Sequence, residues 1–414
     1  MKLFQRLLVA PAALGLMAPL AANADVTAIS NDSDLSSEVM QARVDGVEAQ
    51  LGELMAGSFS STTTMSGKAA FITGYFDDDT ETGADEMHMN YMYQLNMNSS
   101  FTGDDLLYTR IKTGNFTKDG RFSTKGNGDY LAASNQNGGT LKVDKIWYQF
   151  PVGESLQVWV GPRIENYYML ASAPSIYQPV TKQFALGGNA STYGSSTSPG
   201  FGVAWTQQVD DPSEGRFALS INYTGKGGDD ASAGLLDEDS KEFFLTKVEY
   251  GTPRWQVSAA VASKTNGETY DGYYHTKAGE TYTKDLTSVG LRAYWKPETT
   301  GSIPSVQLGY DVATVDDAAS GEPDEMSAWM VGLGWKDVFI DGNKAGLAFG
   351  SRQAATSYVG TGSDPAEDNT VWEAYYSFKV NDGVSITPAI FGGSDVQAEG
   401  KDVNGAVVLT EFRF

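Results

Sequence analysis

The sequence predicts an all-β protein, an antiparallel transmembrane β-barrel of about 16 strands that is preceded by a short coiled-coil-like helix. Three observations predict this fold class. Segments of about ten residues alternate between apolar and polar side chains, the connections between them alternate between long and short, and the last segment separates aromatic from charged residues. These features occur together in transmembrane barrels because one face of each strand meets lipid and the other meets the lumen.

The candidate strands begin at Met65 and are separated by clusters of Gly, Asn, Asp and Pro, which are turn-forming residues. Their number is even, as expected for a single-chain bacterial barrel. The candidate strands are residues 65–76, 86–101, 104–115, 141–152, 155–163, 199–210, 215–225, 241–251, 253–264, 285–297, 303–315, 326–337, 343–352, 370–381, 383–393 and 403–414.

The connections between these strands alternate in length, which is typical of a barrel with short turns at one rim and long loops at the other. The short connections are residues 102–103, 153–154, 211–214, 252, 298–302, 338–342 and 382. The long connections are residues 77–85, 116–140, 164–198, 226–240, 265–284, 316–325, 353–369 and 394–402.

The last candidate strand shows how the two faces differ. Ala406, Val408, Thr410, Phe412 and Phe414 share one face, while Val407, Leu409, Glu411 and Arg413 share the other. In an open sheet such a strand would be an exposed apolar edge, whereas in a closed barrel it pairs with the first strand. The segment 215–225 is similar, with a predicted lipid face of Phe217, Leu219, Ile221 and Tyr223.

The composition excludes several classes of function. The 414 residues include no Cys and only two His, His88 and His275, so thiol chemistry, cysteine metal sites and His-based catalysis are not expected. We therefore predict no catalytic residues, no metal site and no cofactor. The formal net charge of -23 argues against a nucleic-acid partner.

The N-terminal residues 1–24 have the pattern of a secretory signal peptide. Lys2 and Arg6 precede the apolar stretch from Leu7 to Ala22, and Ala22-Asn23-Ala24 forms a small-residue cleavage site. The alternative is a membrane anchor. With cleavage after Ala24, the mature chain begins at Asp25.

Residues 25–58 form the second predicted segment. Met40, Val44, Val47, Leu51 and Leu54 follow the a/d spacing of a coiled coil. A helix of about four turns is marginal alone in water, so we expect it to have partners. It forms either a trimeric stalk in the periplasm or an amphipathic helix packed on the barrel, which occupies residues 59–414.

Two neighbouring stretches resemble a known family. They are residues 43–54, RVDGVEAQLGEL, and residues 59–71, FSSTTTMSGKAAF. With the signal peptide, they are similar to the join between coiled coil and barrel in cyanobacterial outer-membrane porins, which are grouped with OprB-like carbohydrate-selective and iron-uptake porins. That family usually carries a surface-layer-homology domain before the coiled coil. Only residues 25–37 occupy its place here, so cell-wall binding is not expected.

The resemblance implies an integral outer-membrane barrel that lets small hydrophilic solutes, such as ions, sugars or iron species, diffuse passively. Its expected partners are outer-membrane lipids and lipopolysaccharide, and the porin pattern with the heptad helix predicts a homotrimer. Two other classes stay open at this point. One is an outer-membrane barrel enzyme, and the other is a soluble secreted β-protein such as an adhesin.

The connection 164–198 is the longest and follows the fifth candidate strand, where general porins fold a loop inward to narrow the channel. It is rich in apolar and aromatic residues, which a mobile surface loop would not need. The alternatives are a lid over the mouth or a trimer contact. The residues predicted to form this constriction are Arg163, Glu165, Tyr167, Tyr168, Tyr177 and Lys182.

The alternation of side chains along each candidate strand assigns mainly basic charged residues to the inward face. The sequence therefore predicts a mainly basic lumen wall, with the excess acidic residues in the loops. The inward acids are fewer and include Glu249, Asp311 and Glu373. A basic ring at the constriction favours anions. The residues predicted to line the lumen are Arg110, Lys112, Lys145, Arg216, Arg254, Arg292, Arg352 and Lys379.

Overall fold

The structure, a computed structural model, describes residues 62–78, 86–117, 120–123, 128–188, 192–194, 197–211, 213–237, 240–266, 284–360, 369–394 and 402–414. The predicted signal peptide and heptad helix lie outside these residues. Two 3-10 turns, η1 (Asn166–Tyr168) and η2 (Lys182–Gly187), lie in the connection 165–197. The strand segments are β1 (Thr63–Asp77), β2 (His88–Ser99), β3 (Leu106–Gly114), β4 (Lys142–Val152), β5 (Leu156–Ile164), β6 (Ser198–Thr206), β7 (Arg216–Lys226), β8 (Lys241–Gly251), β9 (Trp255–Lys264), β10 (Leu286–Trp295), β11 (Ser305–Val315), β12 (Pro323–Lys336), β13 (Lys344–Ser351), β14 (Ala354–Tyr358), β15 (Thr370–Asn381), β16 (Val384–Ser394) and β17 (Val403–Arg413).

The strands form one antiparallel sheet that closes on itself. Apart from β13 and β14, each strand pairs with its sequence neighbours, and β1 pairs both with β2 and with β17. β13 and β14 both pair with β12 and are separated only by Arg352 and Gln353, so they are two parts of one interrupted strand. The result is the predicted closed barrel of 16 strands.

The alternation of connection lengths is also confirmed. Short connections, for example residues 153–155 and 382–383, lie at one rim, which we call the short-turn rim. Long loops such as 115–141 and 165–197 lie at the other, the loop rim. The one described strand segment that the sequence analysis missed is β14, which lies within a predicted loop.

The predicted faces of the strands agree with the structure. In β17, Val403, Val407 and Leu409 are buried on the lumen side, whereas Val408 and Phe414 are exposed on the outside. In β7, Phe217, Leu219 and Ile221 are exposed as predicted for the lipid face. Tyr223 shares that face but is buried between the rings of Phe201 and Phe244.

Among the described residues, no helix is long and apolar enough to span a bilayer.

The closing pair of strands depends on Gly74. Gly74 stands opposite Val407, and a Cβ at Gly74 would overlap the carbonyl oxygen of Ala406. We expect Gly74→Ala to weaken the β1–β17 pairing by about 1–3 kcal/mol, because the backbone of β17 must move. The measurement is the temperature at which the folded, fast-migrating form is lost on a gel.

The matched control for this prediction is Gly334→Ala in β12. There the nearest atom to a new Cβ is the Ser305 hydroxyl oxygen at 3.2 Å, which rotates away easily. Equal transition temperatures for the two variants would contradict the prediction.

Candidate functional site

The loop between β5 and β6 comprises residues 165–197, and its described part turns into the barrel and lies against the wall from β7 to β11. We call it the L3 loop. The Asn222 amide on β7 donates to the Met169 carbonyl at 3.2 Å. The Lys247 ammonium on β8 donates to the Ser172 carbonyl at 3.0 Å, and the Gln307 side chain on β11 accepts the Ile176 amide at 3.0 Å. The described part of L3 is thus anchored to the wall by side chains of several strands.

The deepest of these anchors is an ion pair. Arg292 and Asp311 are 2.7 Å apart with side chains only 2% and 1% exposed, and Arg292 also donates to the Leu186 carbonyl at 3.0 Å. Thr192 donates to Asp311 at 2.6 Å. Gly309, on β11, allows this close approach because a Cβ there would overlap the Gly187 carbonyl oxygen. Arg292 therefore points inward as predicted, but it fastens the loop instead of facing lumen water.

A second anchor is the Glu373 carboxylate on β15, which is fully buried. It accepts four hydrogen bonds from L3. The donors are the Tyr177 hydroxyl at 2.9 Å, the Val180 amide at 3.0 Å, and the Thr181 amide and hydroxyl at 2.8 and 2.7 Å. Burial and the neighbouring carboxylate raise the pKa of Tyr177, so its hydroxyl remains a donor.

The loop between β3 and β4 comprises residues 115–141, and its described part also turns inward and pairs with L3. We call it the L2 loop. The Ala132 amide donates to the Val180 carbonyl at 2.8 Å, and the Lys182 amide donates to the Tyr130 carbonyl at 2.7 Å. Leu131 and Thr181 form the bridge between these bonds. Sequence reasoning predicted the folding of L3 alone. The buried apolar residues Phe116, Phe122, Leu131 and Ala133 in the other long loop were the signal that could have revealed the second.

An aromatic cluster fills the corner between L3 and strands β3 and β4. The ring of Tyr168 lies 5.8 Å from that of Trp147 and 4.8 Å from that of Tyr167. The Tyr168 hydroxyl accepts a hydrogen bond from Arg110 at 3.0 Å, and burial raises the pKa of Tyr168 to about 12. Because Tyr168 packs against both Tyr167 and Trp147, these two loop tyrosines hold L3 in place more than they present free faces to a solute.

Glu165 and Lys145 form a buried charged pair at the base of L3. The Lys145 ammonium lies 3.0 Å from the Glu165 carboxylate and donates to the Thr197 hydroxyl at 2.6 Å. Burial alone would raise the pKa of Glu165. The charge of Lys145 and the hydrogen bonds from Tyr167 and Lys145 outweigh burial and hold that pKa below its usual value. Arg110 beside them is ion-paired with Asp144.

The part of the wall that L3 leaves uncovered is more open. Between the paired segments of L2 and L3 and the short-turn rim lies a cavity of about 550 Å³ along β13, β15, β16, β17 and β1. Lys379, predicted to line the lumen, borders this cavity. Lys112 on β3 is half-buried, and its charge interacts with those of Lys182, Arg110 and Lys68.

One residue that was predicted to belong to the constriction lies on the other face of the barrel wall. Arg163 is exposed and stands opposite Ile146, which alternates with the buried Lys145 and Trp147, so Arg163 faces outward. A bulge in β5 between Gly161 and Ile164 shifts the phase there, and the prediction that Arg163 belongs to the constriction is wrong.

Arg254 and Arg352, which were also predicted to line the lumen, lie just beyond the ends of strand segments. Arg254 lies in the short turn before β9 and is ion-paired with Glu298 at 3.7 Å. Arg352 is fully buried in the break between β13 and β14, where Asn369 donates to its carbonyl. Arg216, in contrast, is exposed on the lumen side of β7 near the short-turn rim, in phase with the buried Ala218.

The Glu373 anchor leads to a test of L3 docking. Glu373→Gln places an amide against several donors, leaving at least one buried donor unsatisfied at a cost of about 1–3 kcal/mol. We expect tryptic cleavage at Lys182 in the folded protein to become about tenfold faster, because cleavage follows the population of the undocked loop. Glu298→Gln, at an 81% exposed position, is the control. Equal cleavage of both variants and the parent would contradict the anchor.

Asp129 in L2 gives a pH-dependent prediction. Its carboxylate is fully buried and accepts the Phe122 amide at 2.8 Å, and burial raises its pKa to about 7. Because the pKa is higher in the folded than in the unfolded chain, this group lowers stability as the pH rises from about 4 to 7. An Asn at this position accepts the same hydrogen bond without ionising. We expect Asp129→Asn to leave the thermal midpoint unchanged at pH 4.5 and to raise it relative to the parent at pH 8.

A constant difference between the two midpoints at both pH values would show that Asp129 does not titrate in this range.

Comparisons with known proteins identify the family. Residues 20–409 match the family described as carbohydrate-selective porin, OprB family. An uncharacterized protein of Nostoc sp. is 27% identical over 391 residues, which are 85% of this chain and 65% of that relative. An uncharacterized protein of Synechocystis sp. is 24% identical over 420 residues, 92% of this chain and 74% of that relative.

Solved structures share the fold. Pseudomonas putida OprB has 11% sequence identity and a TM-score of 0.56, covering 85% of this chain and 94% of that one. Salmonella typhi OmpF, in complex with daunomycin, has 13% identity and a TM-score of 0.56, covering 85% and 97%. The family and the fold are those of outer-membrane β-barrel channels and not of enzymes. This chain belongs to the carbohydrate-selective porin, OprB family.

Proposed function

We propose that this chain forms a water-filled channel across the outer membrane for the passive diffusion of small hydrophilic solutes, including sugars and ions. The observation that carries the proposal is the L3 loop folded inside a closed barrel of 16 strands. A barrel of this size encloses an aqueous lumen, and a loop fastened inside narrows it without filling it.

The narrow part of the path lies between the paired segments of L2 and L3 and the wall formed by β1 to β3. Lys182 lies on the loop side, with its ammonium 5.0 Å from the centre of the Tyr130 ring. Lys112 and Lys68 lie on the wall side, and the charge of Lys112 interacts with those of Lys182 and Lys68. Because this constriction is lined by several bases, we expect it to favour anions over cations.

The chain reaches the membrane by export, for which residues 1–24 serve as the signal peptide. In the membrane we propose a homotrimer, supported by the heptad spacing from Met40 to Leu54 and by the porin fold. Lipids and lipopolysaccharide contact the outward apolar face, and the loop rim faces the cell exterior. The short-turn rim then faces the periplasm.

The test is conductance of the refolded mature protein in a planar bilayer under a salt gradient, with swelling of liposomes in sugars of increasing size. We expect ohmic channels with a reversal potential on the anion side, and Lys112→Gln combined with Lys182→Gln to shift that potential toward cations. Arg163→Gln, which removes a charge from the outward face, is the matched control. Folded protein that neither conducts ions nor admits sugars would overturn the proposed channel.

A further inference from the structure

The cavity beneath the paired loops is bounded both by the loops and by the lumen wall. Its roof consists of Ala132, Ala133 and residues 178–180 of the loops, and its floor reaches the turn at Asp382 and Gly383. A volume of about 550 Å³ lies within the range of small-molecule sites. The cavity is therefore large enough to hold a solute beside the path and not only to let it pass.

The strand registers place one row of polar and basic side chains on its wall. Lys344 on β13 stands opposite Ser377 on β15, and Lys379 stands opposite Ser385 on β16. Ser385 stands opposite Glu411 on β17, and Arg413 stands opposite Lys68 on β1. Residues directly opposite in a sheet share a face. The whole row therefore points into the lumen.

The charges in this row do not cancel. Glu411 is ion-paired with both Lys68, at 2.9 Å, and Arg413, at 3.1 Å. Asp382 is ion-paired with Lys379 at 2.7 Å. Among the described residues, no carboxylate lies within ion-pairing distance of the Lys344 ammonium. Four bases thus share two acids around the cavity.

These bases are also accessible to solvent, unlike the bases that anchor L3. The side chains of Lys68, Lys379 and Arg413 are 30%, 44% and 63% exposed, compared with 2% for Arg292. They project from inward-facing positions, so the water that they meet is lumen water. An anionic group that enters the cavity therefore meets hydrogen-bond donors that are not bonded to L3.

The rest of the lining suits a ring that carries hydroxyl groups. Ser377, Ser385 and Thr387 supply hydroxyls, Asn381 supplies an amide, and the half-buried Tyr375 supplies an aromatic surface. The Thr387 hydroxyl donates a hydrogen bond to the Ser377 hydroxyl oxygen at 2.7 Å, and each oxygen can still accept a further hydrogen bond. A fully apolar solute would leave these groups unpaired, at a cost in free energy.

We propose that this cavity is a binding site for a small polyhydroxylated anion, a sugar ring that carries a carboxylate or phosphate group. The anionic group lies between Lys344 and Lys379, and the ring hydroxyls contact the serine and threonine side chains. The inference rests on the proposed channel and names a preferred class of solute for it. Charge-assisted hydrogen bonds to the lysines distinguish this class from neutral sugars of the same size.

The experiment measures block of the ionic current through single channels of the full-length mature protein. D-glucuronate is the probe, D-glucose is its neutral counterpart, and inorganic phosphate is an anion without a ring. We expect glucuronate to reduce the current at concentrations about tenfold lower than either of the other two, since tenfold corresponds to about one charge-assisted contact. Lys344→Gln combined with Lys379→Gln should remove most of this difference.

The matched control is Lys226→Gln, which removes the charge of an exposed lysine at the loop-rim end of β7. This variant should keep the block by glucuronate. Equal block by glucose and glucuronate, block by phosphate as strong as that by glucuronate, or an unchanged block in the double variant would each overturn the site. A protein that folds but does not conduct would instead overturn the proposed channel, so the two failures are distinguishable.

Discussion

Everything inside this barrel depends on the hydrogen bonding between the first and the last strand. The β1–β17 ladder runs from Lys68 opposite Arg413 to Asp77 opposite Asn404. In a hydrocarbon environment an unpaired strand edge would expose backbone groups that no water can satisfy. Closure removes both edges and also fixes which side chains point inward, because the faces of a strand alternate strictly. The lumen, its wall charges and the room for two folded loops all follow from this ladder.

The sequence was sufficient to predict the closed barrel because its signals are local and repeated. Alternation over about ten residues specifies each strand, and in β17 it correctly assigned Val407 to the buried face and Val408 to the exposed one. The phase failed where a local irregularity interrupts the alternation, as at Arg163 beside the bulge in β5. Such irregularities have no clear signal in a single sequence.

The candidate site was less predictable than the fold because its contacts join residues that are far apart along the chain. That L3 turns inward followed from its apolar content. The alternation of side chains does not encode the distance between strands across the lumen. The pairing of L2 with L3 and the hydrogen bonds from Thr181 to Glu373 depend on that distance. Reading Arg292 and Lys145 as inward was correct, but only the structure shows that L3 covers them.

Inward-facing bases consequently have two distinct uses in this protein. Under L3, cations are buried and need carboxylates or carbonyls as partners, since an unpaired buried charge is very costly. On the wall that lines the cavity below the loops, the same residue types are ion-paired but partly exposed to the lumen. The loop therefore separates bases that serve the structure from bases that remain accessible from the lumen.

The Glu373 anchor also has a consequence for the order of assembly. Glu373 and the backbone of Thr181 are separated by 192 residues, and L2 is bridged to the same segment of L3. Contacts between such distant parts of a chain form late, because the intervening chain must first be ordered. The contacts of L3 with β7 to β11 join residues that are nearer along the chain, so we expect them to form before the contacts with β15. Docking of L3 is then complete only when β15 brings the Glu373 carboxylate to the Thr181 backbone.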